Sequence, residues 1–232
     1  MKKMGIRKTG LLVNSTIIID SLYKLTKKLE GYNWMVTGNV ATQLWIYYLA
    51  GNCVYCRPTD NLDIVGIDVI KPVEELYGVI AEGFEGDRVR RLSFPISHNP
   101  KFKINIESYS TPMFIDELER KKIIPFQKMQ VPVISMEDQI VSKIVLGRKQ
   151  DLIDVTGLLR AYKRYLRANI IKNLQPTITL QFSTIKTIIE STYPDMKNEI
   201  IETFENLSGA PINLLAEIEK SPRKLINSLE TI

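Results

Sequence analysis

The sequence is poor in the side chains that bind transition metals. Its 232 residues include one histidine, His98, and two cysteines, Cys53 and Cys56. A structural zinc site takes four such ligands, so the chain cannot readily assemble one from its own residues. The two cysteines form a C-x-x-C in a polar segment before a Pro-Thr-Asp turn. Redox-active pairs usually lie at the start of a helix after a strand, so this position favours an incidental role.

Long apolar runs are also absent. No run approaches the roughly 20 residues that a membrane-spanning helix requires. Residues 1–13 are first basic and then apolar, as in a secretion signal, but Asn14, Ser15 and Asp20 interrupt the apolar stretch. We therefore predict a basic N-terminal arm, a cytoplasmic location and no membrane partner.

Positive charge exceeds negative charge, with a net charge of +5. The excess is concentrated in one segment, where only Asp151 and Asp154 are acidic. The basic residues of that segment are Lys143, Arg148, Lys149, Arg160, Lys163, Arg164, Arg167 and Lys172. This distribution is typical of a surface that faces phosphate groups, and equally of a solvated helix face. Both interpretations remain open at this stage.

The hydrophobic periodicity predicts an α+β protein with a mixed sheet flanked by helices and followed by a helical C-terminal lobe. Helical spacing is predicted for residues 16–29, 40–49 and 72–84, and strands for residues 34–36, 61–65, 89–96 and 102–108. Residues 114–133 are β-like but irregular, and Pro125 and Pro132 favour edge strands or loops there. From Ser135, a predicted N-cap, the pattern is helical. We place a domain boundary between residues 1–134 and 135–232.

Polar side chains share faces on the predicted strands. Asn61 and Asp63 lie opposite the apolar Leu62 and Ile64, and a later strand presents Asn105 and Glu107 in the same manner. Another strand ends at Gly38, where a helix begins. Helix N-termini attract phosphate through free N–H groups, and carboxylates on adjacent strands bind Mg²⁺. The pattern therefore predicts a phosphate and metal site.

Two separated motifs resemble the nucleotidyltransferase superfamily, and its AbiEii-like toxin branch in particular. The first is residues 36–41, VTGNVA, followed by residues 57–64, RPTDNLDI, which resemble the superfamily's Gly-Gly or Gly-Ser turn and its Arg-x-Thr-x-Asp-x-Asp segment. The second is an ordered set of a hydrophobic-Pro strand, an acid, a lysine, an arginine and two aspartates. Its residues here are Val131, Pro132, Val133, Glu137, Lys143, Arg148, Asp151 and Asp154.

The resemblance covers roughly residues 34–159 and implies a polymerase-β-like fold. It implies an Mg²⁺-dependent enzyme that transfers a nucleoside monophosphate from an NTP to a hydroxyl, on RNA such as tRNA, and a toxin neutralised by an antitoxin protein. The implied catalytic residues are Asp63, Glu107, Lys143 and Asp154. The implied nucleotide-binding residues are Gly38, Asn39, Thr59 and Lys143, and the implied metal ligands are Asn61, Asp63 and Glu107.

The chain departs from the superfamily pattern at positions that carry its chemistry. Asn39 replaces a Gly or Ser, and as an N-cap its side chain would occupy N–H groups that otherwise meet phosphate. Asn61 replaces the first metal carboxylate, and a neutral amide binds Mg²⁺ more weakly than a carboxylate does. The last carboxylate corresponds to Asn105 or Glu107, and we favour Glu107 because it alone is charged.

Three function classes follow from these residues. The first is an active Mg²⁺-dependent nucleotidyltransferase. The second is a binding module that has lost catalysis at Asn39 and Asn61 but still binds nucleotide or RNA. The third is a structural partner subunit, since the C-terminal helices carry no recognisable chemistry.

Overall fold

The fold was determined from a computed structural model, which describes residues 11–80, 89–96, 99–109 and 112–229. The strands in this part of the chain are β1 (Trp34–Thr37), β2 (Asn61–Gly66), β3 (Val89–Ile96), β4 (Asn99–Tyr109), β5 (Lys122–Phe126) and β6 (Met129–Val133). Its helices are α1 (Thr16–Lys28), α2 (Gly38–Ala50), α3 (Ile70–Tyr77), α4 (Pro112–Arg120), α5 (Met136–Leu146), α6 (Lys149–Ile171), α7 (Phe182–Thr192), α8 (Lys197–Ser208), α9 (Ile212–Ile218) and α10 (Pro222–Ser228).

The described strands form one mixed sheet with the order β3-β4-β2-β1-β6-β5. Strands β2 and β4 are parallel, as are β1 and β6, while the other neighbours are antiparallel. The strands are followed along the chain by helices α5 to α10. The predicted α+β class, with a mixed sheet, flanking helices and a helical C-terminal part, is confirmed.

Strand β1 and helix α2 form the centre of the fold. The apolar side chains of β1 are fully buried, and α2 is buried on most of its surface because the sheet covers one side and α6 the other. Trp34 and Trp45 are both buried in this core. The indole Nε1 of Trp45 donates to the carbonyl of Ile134 at 2.8 Å, which satisfies its only polar atom.

The prediction for residues 114–120 was wrong. The structure has helix α4 there, with Leu118 buried and Asp116 and Glu119 exposed. The helix has only 9 residues and several of them are charged, so its period was hard to separate from that of an irregular strand. Helix α3 also differs from its predicted range of 72–84. It ends at Tyr77 because Gly78 adopts a left-handed conformation and caps it, and residues 81–84 lie outside the described part.

Proline limits the sheet in two different ways. Pro125 lies on β5, at the sheet edge, as predicted. Pro132 lies on β6, an interior strand, which the prediction excluded. The N–H of Ile134 donates to Val36 of β1, and N–H groups of alternate residues face the same neighbour. Pro132 therefore faces β1 without a donor, and the β1–β6 ladder remains short.

The C-terminal helices begin where the sequence predicts. Ser135 caps α5, since its Oγ accepts from the N–H of Asp138 at 3.0 Å. Breaks occur near Pro194, Gly209 and Pro222. Helix α6 packs against α2, so elements from both sides of the predicted boundary at residue 134 are in contact. The two-domain division stays a prediction. None of the described helices combines the length and apolar character needed to cross a bilayer.

Candidate functional site

Asp63 lies directly over Gly38. Strands β1 and β2 pair with Thr37 opposite Asp63, and Gly38 follows as the first residue of α2 with φ +63°. A Cβ at Gly38 would overlap Oδ2 of Asp63, so only glycine fits both the backbone conformation and the space. The carboxylate is thus beside the N-terminus of α2, where backbone N–H groups lack intrahelical partners. The sequence predicted this proximity.

Two amides hold the other oxygen of Asp63. The Nδ2 groups of Asn61 and Asn105 donate to Asp63 Oδ1 at 2.6 and 2.8 Å. The amide oxygens are themselves occupied, since Thr59 Oγ1 donates to Asn61 Oδ1 at 2.9 Å and Ser93 Oγ donates to Asn105 Oδ1 at 2.7 Å. Strands β2 and β4 place Asp63 and Asn105 in register, which makes this contact direct. The result is a hydrogen-bonded chain centred on one carboxylate.

Burial raises the pKa of Asp63 above its usual range. The hydrogen bonds from Asn105 and Asn61 and the positive charge of Lys143 act in the opposite direction, and the negative charge of Glu107 adds to the rise. The net direction is upward because burial outweighs the favourable contacts. Asp63 is therefore a better proton acceptor than an exposed aspartate.

Glu107 lies on the same side of the sheet as Asp63 but is not its direct neighbour. It pairs in register with Val65, two residues further along β2, and its Oε1 contacts Arg91 Nε at 2.9 Å. Glu107 and Asp63 line the same cleft, as predicted. The side chain that touches Asp63 is that of Asn105, the alternative that we did not favour from the sequence. The role of Glu107 as a metal ligand stays a prediction.

Asn39 does not cap α2. The N-cap is Thr37, and Asn39 lies inside the first turn, where its Nδ2 donates to the carbonyls of Arg57 and Pro58 at 3.2 and 3.4 Å. The predicted competition between this amide and phosphate for helix N–H groups is therefore wrong. The amide instead ties α2 to the loop that leads into β2.

Gln139 is a buried site residue that the sequence analysis missed. Its Nε2 donates to the carbonyl of Gly38 at 2.7 Å and to Thr42 Oγ1 at 2.8 Å, which fixes the start of α2 against α5. A glutamine one turn after the predicted cap at Ser135, among apolar residues, was the signal available in the sequence. Because it bonds to the carbonyl of Gly38, Gln139 positions the turn at the start of α2.

A buried ion network forms the wall of the site on the side of α5 and α6. Lys143 Nζ lies 3.0 Å from Asp151 Oδ1 and 2.7 Å from Asp154 Oδ2, and all three side chains are buried. Arg57 donates to both oxygens of Asp154 at 3.1 and 3.0 Å, and Arg148 contacts Asp151 at 2.5 Å. Burial would raise the pKa of Asp151, but Arg148 and Lys143 outweigh it and hold that pKa below its usual range.

This network contains two of the predicted catalytic residues, Lys143 and Asp154. The structure shows that they neutralise each other and join α5, α6 and the loop before β2. Asp151 also pairs with Arg148, which precedes α6. A contact of Lys143 with substrate, and the catalytic role of Asp154, stay predictions.

Asp63 opens into a cleft of about 960 Å³. The predicted nucleotide-binding residues Gly38, Asn39, Thr59 and Lys143 all line it. So do Lys101 and Lys103, which are exposed on β4 and form no ion pair with the described residues. Lys101, Lys103 and Asn105 occupy every second position of β4 and therefore share one strand face. The periodicity that identified Asn105 could have identified both lysines as residues of the site. The cleft thus combines a buried acid with exposed positive charge.

The carboxylates present fit one Mg²⁺ ion and not two. Within the described residues, no group of three or more Asp, Glu, His or Cys side chains could hold a metal ion. Asn61 and Asn105 direct N–H groups toward Asp63, and their oxygens already accept hydrogen bonds. Mg²⁺ in proteins is often held by one or two carboxylates together with substrate phosphates. Asp63 satisfies that requirement for a single ion that arrives with phosphate.

Comparisons with solved structures gave distant likenesses. No protein-family model and no curated protein matches the chain. JHP933 from Helicobacter pylori matches with a TM-score of 0.45 and 13% identity over 95% of this chain and 93% of that one. The Megavirus polyadenylate synthase matches with a TM-score of 0.42 and 11% identity over 92% of this chain and 47% of that one. Both TM-scores are below 0.5, so neither likeness is used to infer the function of this chain.

Proposed function

We propose that the cleft binds a nucleoside triphosphate with Mg²⁺ and that the chain transfers a nucleoside monophosphate to a hydroxyl acceptor, of which RNA such as tRNA is the class implied by its sequence motifs. The observation that carries this proposal is the placement of Asp63 over Gly38 at the N-terminus of α2. A phosphate-attracting helix end and a carboxylate for a hard cation are thereby combined at one point.

Different residues of the cleft bind different parts of the substrate. The free N–H groups at the start of α2 face the phosphates, and Lys101 and Lys103 supply positive charge from β4. Asn61 and Asn105 fix Oδ1 of Asp63, which leaves Oδ2 to meet the substrate or a cation. When bound there, Mg²⁺ supplies charge neutralisation for the phosphates and for the leaving pyrophosphate.

Incubation of the protein with labelled NTPs, total RNA and MgCl₂ tests the proposal. We expect label to enter RNA with the original protein and not with Asp63→Asn, which keeps the size of the side chain. Asp60→Asn is the matched control, because Asp60 also lines the cleft but is exposed. Equal transfer by the original protein and Asp63→Asn would contradict the proposal.

The amides at Asn61 and Asn105 favour a second candidate function, a module that binds nucleotide or RNA without transferring a nucleotide. Each amide stands beside Asp63 where a further carboxylate would complete a site for two ions. Calorimetric titration with NTP and MgCl₂ separates the two candidates. Binding that Asp63→Asn alters, together with no transfer to any RNA, would support the binding module.

The biological setting that we infer, the toxic half of a toxin–antitoxin pair, rests on the sequence resemblance alone. If the chain is such a toxin, its expression arrests growth of a bacterial host and Asp63→Asn relieves the arrest. Growth that continues unchanged under full expression of the original chain would contradict this inference.

A further inference from the structure

Helix α6 exposes charge of one sign. Its two acidic residues, Asp151 and Asp154, are turned inward and are engaged in the buried ion network. The charged residues that α6 exposes are all basic. We name these residues, Lys149, Arg160, Arg164 and Arg167, the basic stripe.

The basic stripe follows one line along the helix. At 100° per residue its members fall within a sector of about 60°, and from Lys149 to Arg167 it extends about 27 Å at 1.5 Å per residue. Arg160, Arg164 and Arg167 are spaced so that neighbouring side chains are about 5–6 Å apart. Of the other basic residues of the segment, Lys143, Arg148 and Lys163 contact partners within the protein, and Lys172 is the C-cap that follows the last residue of α6.

A solvated structural helix face usually mixes charges of both signs, because acidic and basic residues four apart stabilise the helix. The basic stripe lacks such partners: none of its members forms an ion pair with the described residues. Adjacent arginines repel one another and destabilise the helix slightly. A polyanion that neutralises them removes this cost.

The position of the basic stripe relates it to the cleft. Arg148 and Gln150, which flank Lys149, both line the cleft that contains Asp63. The stripe therefore begins at the rim of the cleft and continues away from it along α6. A linear polyanion bound along the stripe would have one end beside the site.

We propose that the basic stripe binds the phosphate backbone of an RNA strand and directs its end into the cleft. Arginine suits this task because its planar guanidinium donates paired hydrogen bonds to phosphate oxygens. A row of three arginines along one line fits a regularly charged backbone better than the irregular carboxylates of a protein surface. The delivery of an end to Asp63 rests on the proposed function, whereas binding of RNA to α6 does not.

Binding of a fluorescently labelled oligouridylate at several salt concentrations tests the proposal. The variant is Arg160→Glu/Arg164→Glu/Arg167→Glu. The matched control is Lys220→Glu/Arg223→Glu/Lys224→Glu, three exposed basic residues near the C-terminus that give the same change in net charge. Circular dichroism and a thermal melt of both variants establish that they are folded before binding is compared.

We expect the α6 variant to weaken binding by about tenfold or more at low salt and to reduce the slope of log K against log salt by about 2, as loss of three phosphate contacts requires. The control variant should bind within about twofold of the original protein. Equal loss in both variants, or a preference of the original protein for labelled polyglutamate over oligouridylate, would overturn the proposal.

The same variants separate this inference from the proposed function. The α6 variant should still bind NTP with MgCl₂, because Arg160, Arg164 and Arg167 do not line the cleft. RNA binding that survives when no nucleotide transfer is detected contradicts the enzymatic proposal alone. RNA binding that is indifferent to the α6 arginines contradicts the inference alone.

Discussion

Lys143 and Asp154 form a buried ion pair of 2.7 Å that joins α5 to α6. Asp154 is shared with Arg57, so the pair also fixes the loop that leads into β2 and thereby the strand that carries Asp63. The motif that the sequence shows as Lys143, Arg148, Asp151 and Asp154 is, in the folded protein, one continuous electrostatic network. This network joins α5, α6 and the loop before β2, which together form one wall of the site.

Replacement of Lys143 by methionine should strongly destabilise the fold. The change leaves Asp151 and Asp154 buried with less compensating charge, and breaking a buried pair in this way typically costs about 3–5 kcal/mol. Urea unfolding followed by circular dichroism measures the loss. Lys28→Met is the control, because the Lys28–Glu75 pair is exposed to solvent and contributes little to stability. Similar losses in both variants would contradict the buried network.

The order of helices and strands could be predicted from the sequence because buried apolar residues recur with one period in helices and with another in strands. Ser135 and the apolar residues after it marked α5 well, and Leu62 and Ile64 marked β2. Helix α4 was missed because it spans only 9 residues and several of them are charged. The interior place of β6 could not be predicted, since Pro132 normally indicates an edge and only the tertiary arrangement shows that β1 tolerates the missing donor.

Gly38→Ala should disturb both the fold and nucleotide binding. A Cβ at this position would overlap Oδ2 of Asp63, and φ is +63°. Gly51→Ala is the matched control, since Gly51 has φ +72° with nothing within 4 Å of its added Cβ. The control should lose about 1–2 kcal/mol from backbone strain alone. Gly38→Ala should lose more.

Urea unfolding and NTP titration of these two glycine variants give the comparison. The excess loss in Gly38→Ala reports the overlap with Asp63, and only this variant should weaken NTP binding. Equal stabilities for the two variants would show that Asp63 does not occupy the space over Gly38.

Glu117 should make the fold less stable as the pH rises. Burial, reinforced by the negative charge of Asp138 and opposed by Arg120, raises the pKa of Glu117 to about 7 from 4.5. The folded state therefore holds this proton more tightly than the unfolded state does. The resulting stabilisation is complete below pH 4.5 and is lost as the pH rises through about 7.

The comparison of unfolding midpoints at pH 5 and pH 8 measures this effect. Glu117→Gln should reduce the difference between the two midpoints, because glutamine remains neutral throughout. Glu119→Gln, on the exposed face of the same helix, should leave the difference as in the original protein. An unchanged difference in Glu117→Gln would contradict the raised pKa.

At the centre of the site, the sequence predicted which strand face carries each polar side chain, but it did not predict which of these side chains are neighbours. Alternation placed Asp63, Asn105 and Glu107 on one side of the sheet, and the structure agrees. The choice between Asn105 and Glu107 required the register of β2 against β4, which alternation alone does not contain. Charge favoured Glu107, while register makes Asn105 the neighbour of Asp63.

Asn61→Asp should create a site that responds to Mg²⁺. The change replaces a donor to Asp63 with a second carboxylate, so without metal two negative charges lie side by side and the protein is less stable than the original. Added Mg²⁺ should reverse the loss, since binding to the folded state alone stabilises by about 2.7 kcal/mol at 100 times Kd. Thermal melts in EDTA and in MgCl₂ measure both changes.

The double variant Asn61→Asp/Asp63→Asn is the matched control for this change. It exchanges the two side chains and keeps one carboxylate, so Mg²⁺ should shift its melting temperature no more than that of the original protein. Nucleotide transfer by Asn61→Asp is then measured with NTP and labelled RNA. Faster transfer than in the original protein would indicate that the amide at position 61 limits turnover. A single variant that melts at the same temperature in EDTA and in MgCl₂ would show that residues 61 and 63 do not share a cation, and the carboxylate at position 63 would then act on substrate without a metal partner on β2.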